Sequence, residues 1–233
     1  TTAQWLTTGF MLTMAVVIPV TGYLLGRFST RQVFALAMST FTAGTLLCAV
    51  SPTFLPLLIG RIVQASGTAV MMPLLMTTVM NLVPPSRRGQ VMGNISIVIS
   101  VAPALGPTIS GLILSFAPWR ALFVLVLPIA VAALLFGLSR IENVNEASDQ
   151  PADPLSVLLA GVGFGPLVYG LTGISGGSGG DAAAAVSSGP PVAAVVCLVV
   201  GVLSLGLFVG RQLALQKHER PLLDLRTFSS RTF

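Results

Sequence analysis

Apolar runs long enough to cross a bilayer recur along this chain, separated by short polar breaks. About 20 apolar residues suffice for one crossing at ~1.5 Å of rise each. The runs predict seven spanning helices, near residues 4–26, 32–50, 55–83, 89–116, 121–138, 154–174 and 191–209. The breaks support this count. If the loop after the first run is cytoplasmic and the loops alternate, Arg27, Arg31, Arg87, Arg88, Arg140, Arg211, Lys217, Arg220, Arg226 and Arg231 fall inside. Only Arg120 falls outside, and Arg61 lies within a run. Ten against one is a strong positive-inside bias, and a missed span would scramble it. Thr1 is then expected outside and Phe233 in the cytoplasm. Trp5 and Trp119 suit the membrane interface.

Composition agrees: 54% of the 233 residues are hydrophobic and 8% are charged. The chain is expected to be an all-α integral membrane protein. Its net charge of +5 arises from the loop arginines, so no nucleic-acid partner follows from it. The first run lacks a basic leader and a cleavage site, which excludes a signal peptide. The chain starts at Thr1 without a methionine, which suggests a fragment. Cys48 and Cys197 sit in apolar runs and define no disulfide framework. A single histidine, His218, makes no metal cluster. The GGSGG segment within residues 175–190 has no following Lys-Ser/Thr, so it is no phosphate loop and points to no ATPase.

The fourth run carries no charge between Arg88 and Arg120, yet it holds two prolines and several small residues. Pro103, Pro107 and Gly111 are four apart and share a helix face. The prolines leave the carbonyls of Ile99 and Pro103 without their helical donors. In hydrocarbon such groups need neighbours, so the run is expected to pack closely inside a bundle. A kinked packing helix and a moving hinge both fit.

Arg61 lies about six residues, or roughly 9 Å, into the third run. A charge inside a membrane costs at least ~2.5–3.5 kcal/mol on insertion scales, which marks it as a functional candidate. Snorkelling to the outer interface is the plainer account. Gln64 and Thr68 share its face. Met72, Met76 and Met80 form a stripe that suits either packing against lipid or a promiscuous surface. Thr13, Pro19 and Thr21 either line a cavity or bond their own backbone. All seven carboxylates, Glu142, Glu146, Asp149, Asp153, Asp181, Glu219 and Asp224, lie outside the apolar runs.

Several of these segments resemble the major facilitator superfamily. Ala102-Pro103-Ala104-Leu105-Gly106-Pro107-Thr108-Ile109-Ser110-Gly111 is similar to its antiporter motif, with Ser110-Gly111 in place of a glycine pair. Leu58-Ile59-Gly60-Arg61-Ile62-Val63-Gln64-Ala65-Ser66-Gly67-Thr68-Ala69 resembles its fourth-helix motif, which pairs a buried arginine with a glutamine-glycine step, with Ala65 in place of the glycine and Gly67 kept. Gly22-Tyr23-Leu24-Leu25-Gly26-Arg27-Phe28-Ser29-Thr30-Arg31-Gln32 resembles its cytoplasmic loop signature, with Gly26 in place of an aspartate and Ser29 in place of a glycine. Two spans after the fifth, followed by Pro221-Leu222-Leu223-Asp224-Leu225, look like the fourteen-helix EmrB/QacA-like drug:proton antiporters.

The resemblance implies a partial major facilitator fold, without the first helix and the C-terminal half. Residues 1–139 would hold family helices two to six, 140–153 a cytoplasmic linker, 154–213 helices seven and eight, and 214–233 a connector. It implies no enzyme and no cofactor. The implied function is a proton-coupled exporter of drugs or other amphiphilic compounds in the plasma membrane, working by alternating access and inert as a fragment. Arg61 and Gln64 are assigned to the proton path, Pro103, Gly106, Pro107 and Gly111 to conformational change, and Gly22, Arg27 and Arg31 to a cytoplasmic gate. The partners implied are the lipid bilayer, protons, a small amphiphilic substrate and the missing half. A carrier for one metabolite and a non-transporting truncated product are the alternatives.

Overall fold

The computed structural model describes residues 2–141, 154–175 and 192–216. They form seven helices: α1 Thr2–Arg27, α2 Thr30–Val50, α3 Phe54–Leu82, α4 Pro85–Phe116, α5 Arg120–Arg140, α6 Pro154–Ser175 and α7 Val192–Gln216. The predicted spans and the helices coincide to within a few residues at most ends. The widest differences are the extension of α7 to Gln216 and the earlier start of α4 at Pro85. Proline at the first helical position needs no amide hydrogen, which explains that start. Six helices contain segments of membrane length and apolarity, and in α6 the described apolar segment is Gly161–Leu171. The protein is a multi-pass membrane protein.

The turns are set by local chemistry. Ser29 caps α2 in a reciprocal box: Gln32 N donates to Ser29 Oγ at 3.4 Å, and Ser29 N donates to Gln32 Oε1 at 3.1 Å. Two arginines close helix C-termini. Arg120 Nε and Nη2 donate to the carbonyl of Ser51, the residue that ends α2, at 3.0 and 2.9 Å. Arg88 donates to the carbonyls of Val83 and Met80 at the end of α3, at 3.0 and 2.7 Å. Each puts a cation where carbonyls lack helical partners and the helix dipole is negative. Within the helices, hydroxyls such as those of Thr42, Thr77, Thr78 and Ser110 donate to the carbonyl four residues back.

The contacts fall into two groups. One contains α2–α5 and the start of α1 as far as Phe10, the other Met11–Arg27 with α6 and α7. In the first group α2 is central, packed against α3 and α5. Its buried residues Val33, Ala37, Gly44, Thr45 and Cys48 recur at helical spacing. Small residues on α3 answer them: a Cβ on Gly67 would come within 2.4 Å of the Ala37 carbonyl oxygen. On α5, Gly137 leaves room for the ring of Phe34. In the second group Gly163, Gly170 and Gly201 let α6 and α7 approach closely, and a Cβ on Gly201 would meet the Leu167 backbone at 2.6 Å. Lipid tails are as apolar as leucine, so close packing and hydrogen bonds, rather than expulsion of water, hold such pairs together.

Candidate functional site

The site grows from the α2–α3 seam. Gly44 and Gly60 face each other across it. A Cβ on Gly44 would lie 2.3 Å from Gln64 N, and one on Gly60 would lie 2.7 Å from Cys48 Sγ. Only glycines allow backbones this near. The close approach carries Gln64 into the seam, where it is buried, and brings it opposite Thr45. Gln64 Nε2 donates to Thr45 Oγ1 at 2.9 Å. The Thr45 hydroxyl in turn donates to the carbonyl of Phe41 at 2.8 Å.

Arg61 stands one turn before Gln64 on α3. Its Nη1 donates to Gln64 Oε1 at 2.7 Å. Its guanidinium carbon also lies 4.3 Å from the centre of the Phe10 ring on α1. An aromatic face attracts a cation most strongly where water is scarce. The sequence placed Arg61 and Gln64 on one face, and the structure bonds them directly. Thr68 uses its hydroxyl on the Gln64 backbone carbonyl at 3.0 Å, so it does not extend the side-chain relay. Thr45 and Phe10 were missed. Both come from other helices, and no spacing rule along α3 could find them.

The other candidates are not brought to this site. Pro103, Pro107 and Gly111 are exposed and Gly106 is half-buried on α4, a helix with no buried residue. A Cβ added at Gly93, Gly106 or Gly111 would meet nothing within 4 Å. The close partner expected for that face is not found among the described residues, where α4 touches α3 and α5 only sparsely. Gly22 is likewise open to a Cβ. Arg27, the last residue of α1, is exposed, as is Arg31 in the first turn of α2. Thr21 is buried and its hydroxyl donates to the Ile18 carbonyl, so it bonds its own backbone. Met72, Met76 and Met80 face outward. No group of residues suited to hold a metal occurs among the described residues.

This arrangement can hold a positive charge inside a membrane with neutral neighbours: an amide oxygen, an aromatic face and small residues. The free thiol of Cys48 is buried in the same seam, opposite Gly60.

The sequence profile of the Major Facilitator Superfamily matches residues 1–215. The chain belongs to that superfamily, a family of membrane transporters. It is 44% identical over 227 residues to a lincomycin resistance protein, LmrB, of Listeria monocytogenes, a match covering 97% of this chain and 45% of the relative. It is 41% identical to the protein of that name from Bacillus subtilis, covering 97% and 45%. It is 30% identical to a multidrug resistance protein B homolog of Mycobacterium tuberculosis, covering 97% and 40%. The chain thus spans about half the length of the curated relatives it matches.

Proposed function

We propose that this chain forms part of a proton-coupled exporter of drugs or other amphiphilic compounds, and that it is not an enzyme. The match of almost the whole chain to a protein named for lincomycin resistance carries this reading. The embedded Arg61 supports it, because a desolvated charge is costly and is retained where a transport path needs one. The protein lies in the plasma membrane with Thr1 outside and Phe233 in the cytoplasm, the orientation that the bias of the loop arginines favours. It works by alternating access, with repeats rocking about a central site. Arg61 and Gln64 belong to the proton path. Pro103, Gly106, Pro107 and Gly111 supply the helix face that moves during exchange, and Gly22, Arg27 and Arg31 belong to the cytoplasmic gate. No cofactor is used; the proton gradient supplies the energy. The partners are the bilayer, protons, the solute and the remaining half of the transporter, without which this chain is inert.

The test is export by a pump-deficient bacterium carrying the full-length encoded protein. Ethidium efflux and lincomycin susceptibility are measured with and without a protonophore. Efflux that the protonophore stops, together with raised lincomycin tolerance, is the expected result. A protein that reaches the membrane yet moves neither compound would overturn the drug-export reading and favour a carrier for one metabolite or a non-transporting product.

A further inference from the structure

Thr45 lies outside every motif that the sequence brings forward, yet it is fully buried and touches the site through Gln64. The direction of each hydrogen bond follows from chemistry. A guanidinium has donors only, so the Gln64 atom that faces Arg61 is the carbonyl oxygen. The amide nitrogen of Gln64 must then face Thr45. That nitrogen is a donor, so Thr45 Oγ1 accepts from it and sends its own proton elsewhere. The Phe41 carbonyl, 2.8 Å away on the same helix, receives it. Every link points the same way, and the chain ends on a backbone atom that cannot turn. Gly44 makes the link across the seam possible, because a Cβ there would push Gln64 away.

We propose that Thr45 is a positioning residue for the membrane-embedded arginine. By accepting from Gln64 it fixes the orientation of that amide, and the amide oxygen fixes where the Arg61 guanidinium points. Thr45 itself touches neither proton nor solute. The inference rests on the reading that Arg61 works in the transport cycle. Without the hydroxyl, the Gln64 amide nitrogen is buried with no acceptor, which is costly. Turning the amide over does not help, because it sets N–H groups against the N–H groups of Arg61. The amide then leaves the seam, and Arg61 loses its aim.

The test compares ethidium efflux per membrane-resident molecule of the full-length protein across five variants: Thr45→Val, Thr45→Ser, Gln64→Leu, the double variant Thr45→Val/Gln64→Leu, and Arg61→Ala. Valine is close to threonine in shape and replaces the hydroxyl with a methyl group. Thr45→Val should lower efflux roughly 5- to 30-fold, the effect of one buried amide left without its partner. Thr45→Ser, which keeps the hydroxyl, should stay within about twofold of wild type. The double variant should fall no more than about twofold below Gln64→Leu, since Thr45 acts through Gln64. Wild-type efflux by Thr45→Val beside an inert Arg61→Ala would overturn this inference alone. So would a double variant slowed by the product of the two single effects, because that marks a separate packing role. Wild-type efflux by Arg61→Ala would overturn the transport role of Arg61 and this inference with it. If Thr45→Val does not reach the membrane, Thr45→Ala takes its place in the same cycle.

Discussion

α3 and α4 read alike along the chain and sit differently in the fold. Both are long and apolar, with 29 and 32 residues, and both carry glycines and internal prolines. On α3 a Cβ at Gly60 or Gly67 would strike a neighbour at 2.7 or 2.4 Å. On α4 a Cβ at Gly93, Gly106 or Gly111 would meet open space. The difference lies in the partner. α2 offers α3 a strip of small residues and bare backbone at matching spacing, with Ala37, Gly44 and Cys48 on the seam. α4 meets no such strip among the described residues. A glycine permits close approach, and only a complementary surface turns that permission into stability. In lipid this matters more than in water, because no hydrophobic force presses unmatched helices together.

The strongest way to break the comparison is to fill the seam. Gly44→Val should destabilise the protein by about 3 kcal/mol, since the atoms in the way belong to the Gln64 backbone and cannot swing aside. Thermal unfolding in detergent, followed by the loss of the monodisperse peak, would show it; an unshifted midpoint would mean the seam is looser than described. Next comes the clasp over the C-terminal end of α2. Arg120→Ala removes a charged donor from the Ser51 carbonyl and should cost about 1.5 kcal/mol, with Arg120→Lys recovering part of it. The same unfolding assay checks both, and equal losses for the two variants would refute the hydrogen-bond account. Ser29→Ala removes the cap of α2 and should cost about 1 kcal/mol, whereas Ser29→Asp should be tolerated. Hydrogen exchange in the first turn of α2 reads this directly, and unchanged protection in Ser29→Ala would count against the cap.

The smallest expected change sharpens the contrast. Gly106→Ala on α4 should shift stability by less than about 1 kcal/mol and toward the stable side, because alanine suits a helix interior better than glycine. A loss as large as that of Gly44→Val would reveal a close neighbour of α4 beyond the described residues.

The loop between α1 and α2 shows how local and tertiary information divide. Relative to the family signature it resembles, Ser29 stands where glycine is usual, a departure that by itself suggests a decayed motif. In the structure the serine closes a capping box with Gln32 and so starts α2. That box was legible in principle, since serine followed three residues later by glutamine is a known helix start. Arg61 was legible too, because a charge in an apolar run stands out in any sequence. Its partner on the same helix followed from a three-residue step. Thr45 and Phe10 were not legible: they lie on α2 and α1, and their relation to Arg61 depends on how three helices meet.

The helices of the described residues, their approximate ends, the membrane environment and the placement of Arg61 beside Gln64 were determined by the sequence alone. These follow from the length of apolar runs, the positions of charges and the 3.6-residue turn, none of which needs a neighbour. The tertiary structure decided which small residues became contacts and which stayed open, and that Arg120 and Arg88 close helix ends. It also decided that the orientation of Gln64 is set from α2. These depend on which surfaces meet, and two runs of similar composition can meet partners of unlike shape.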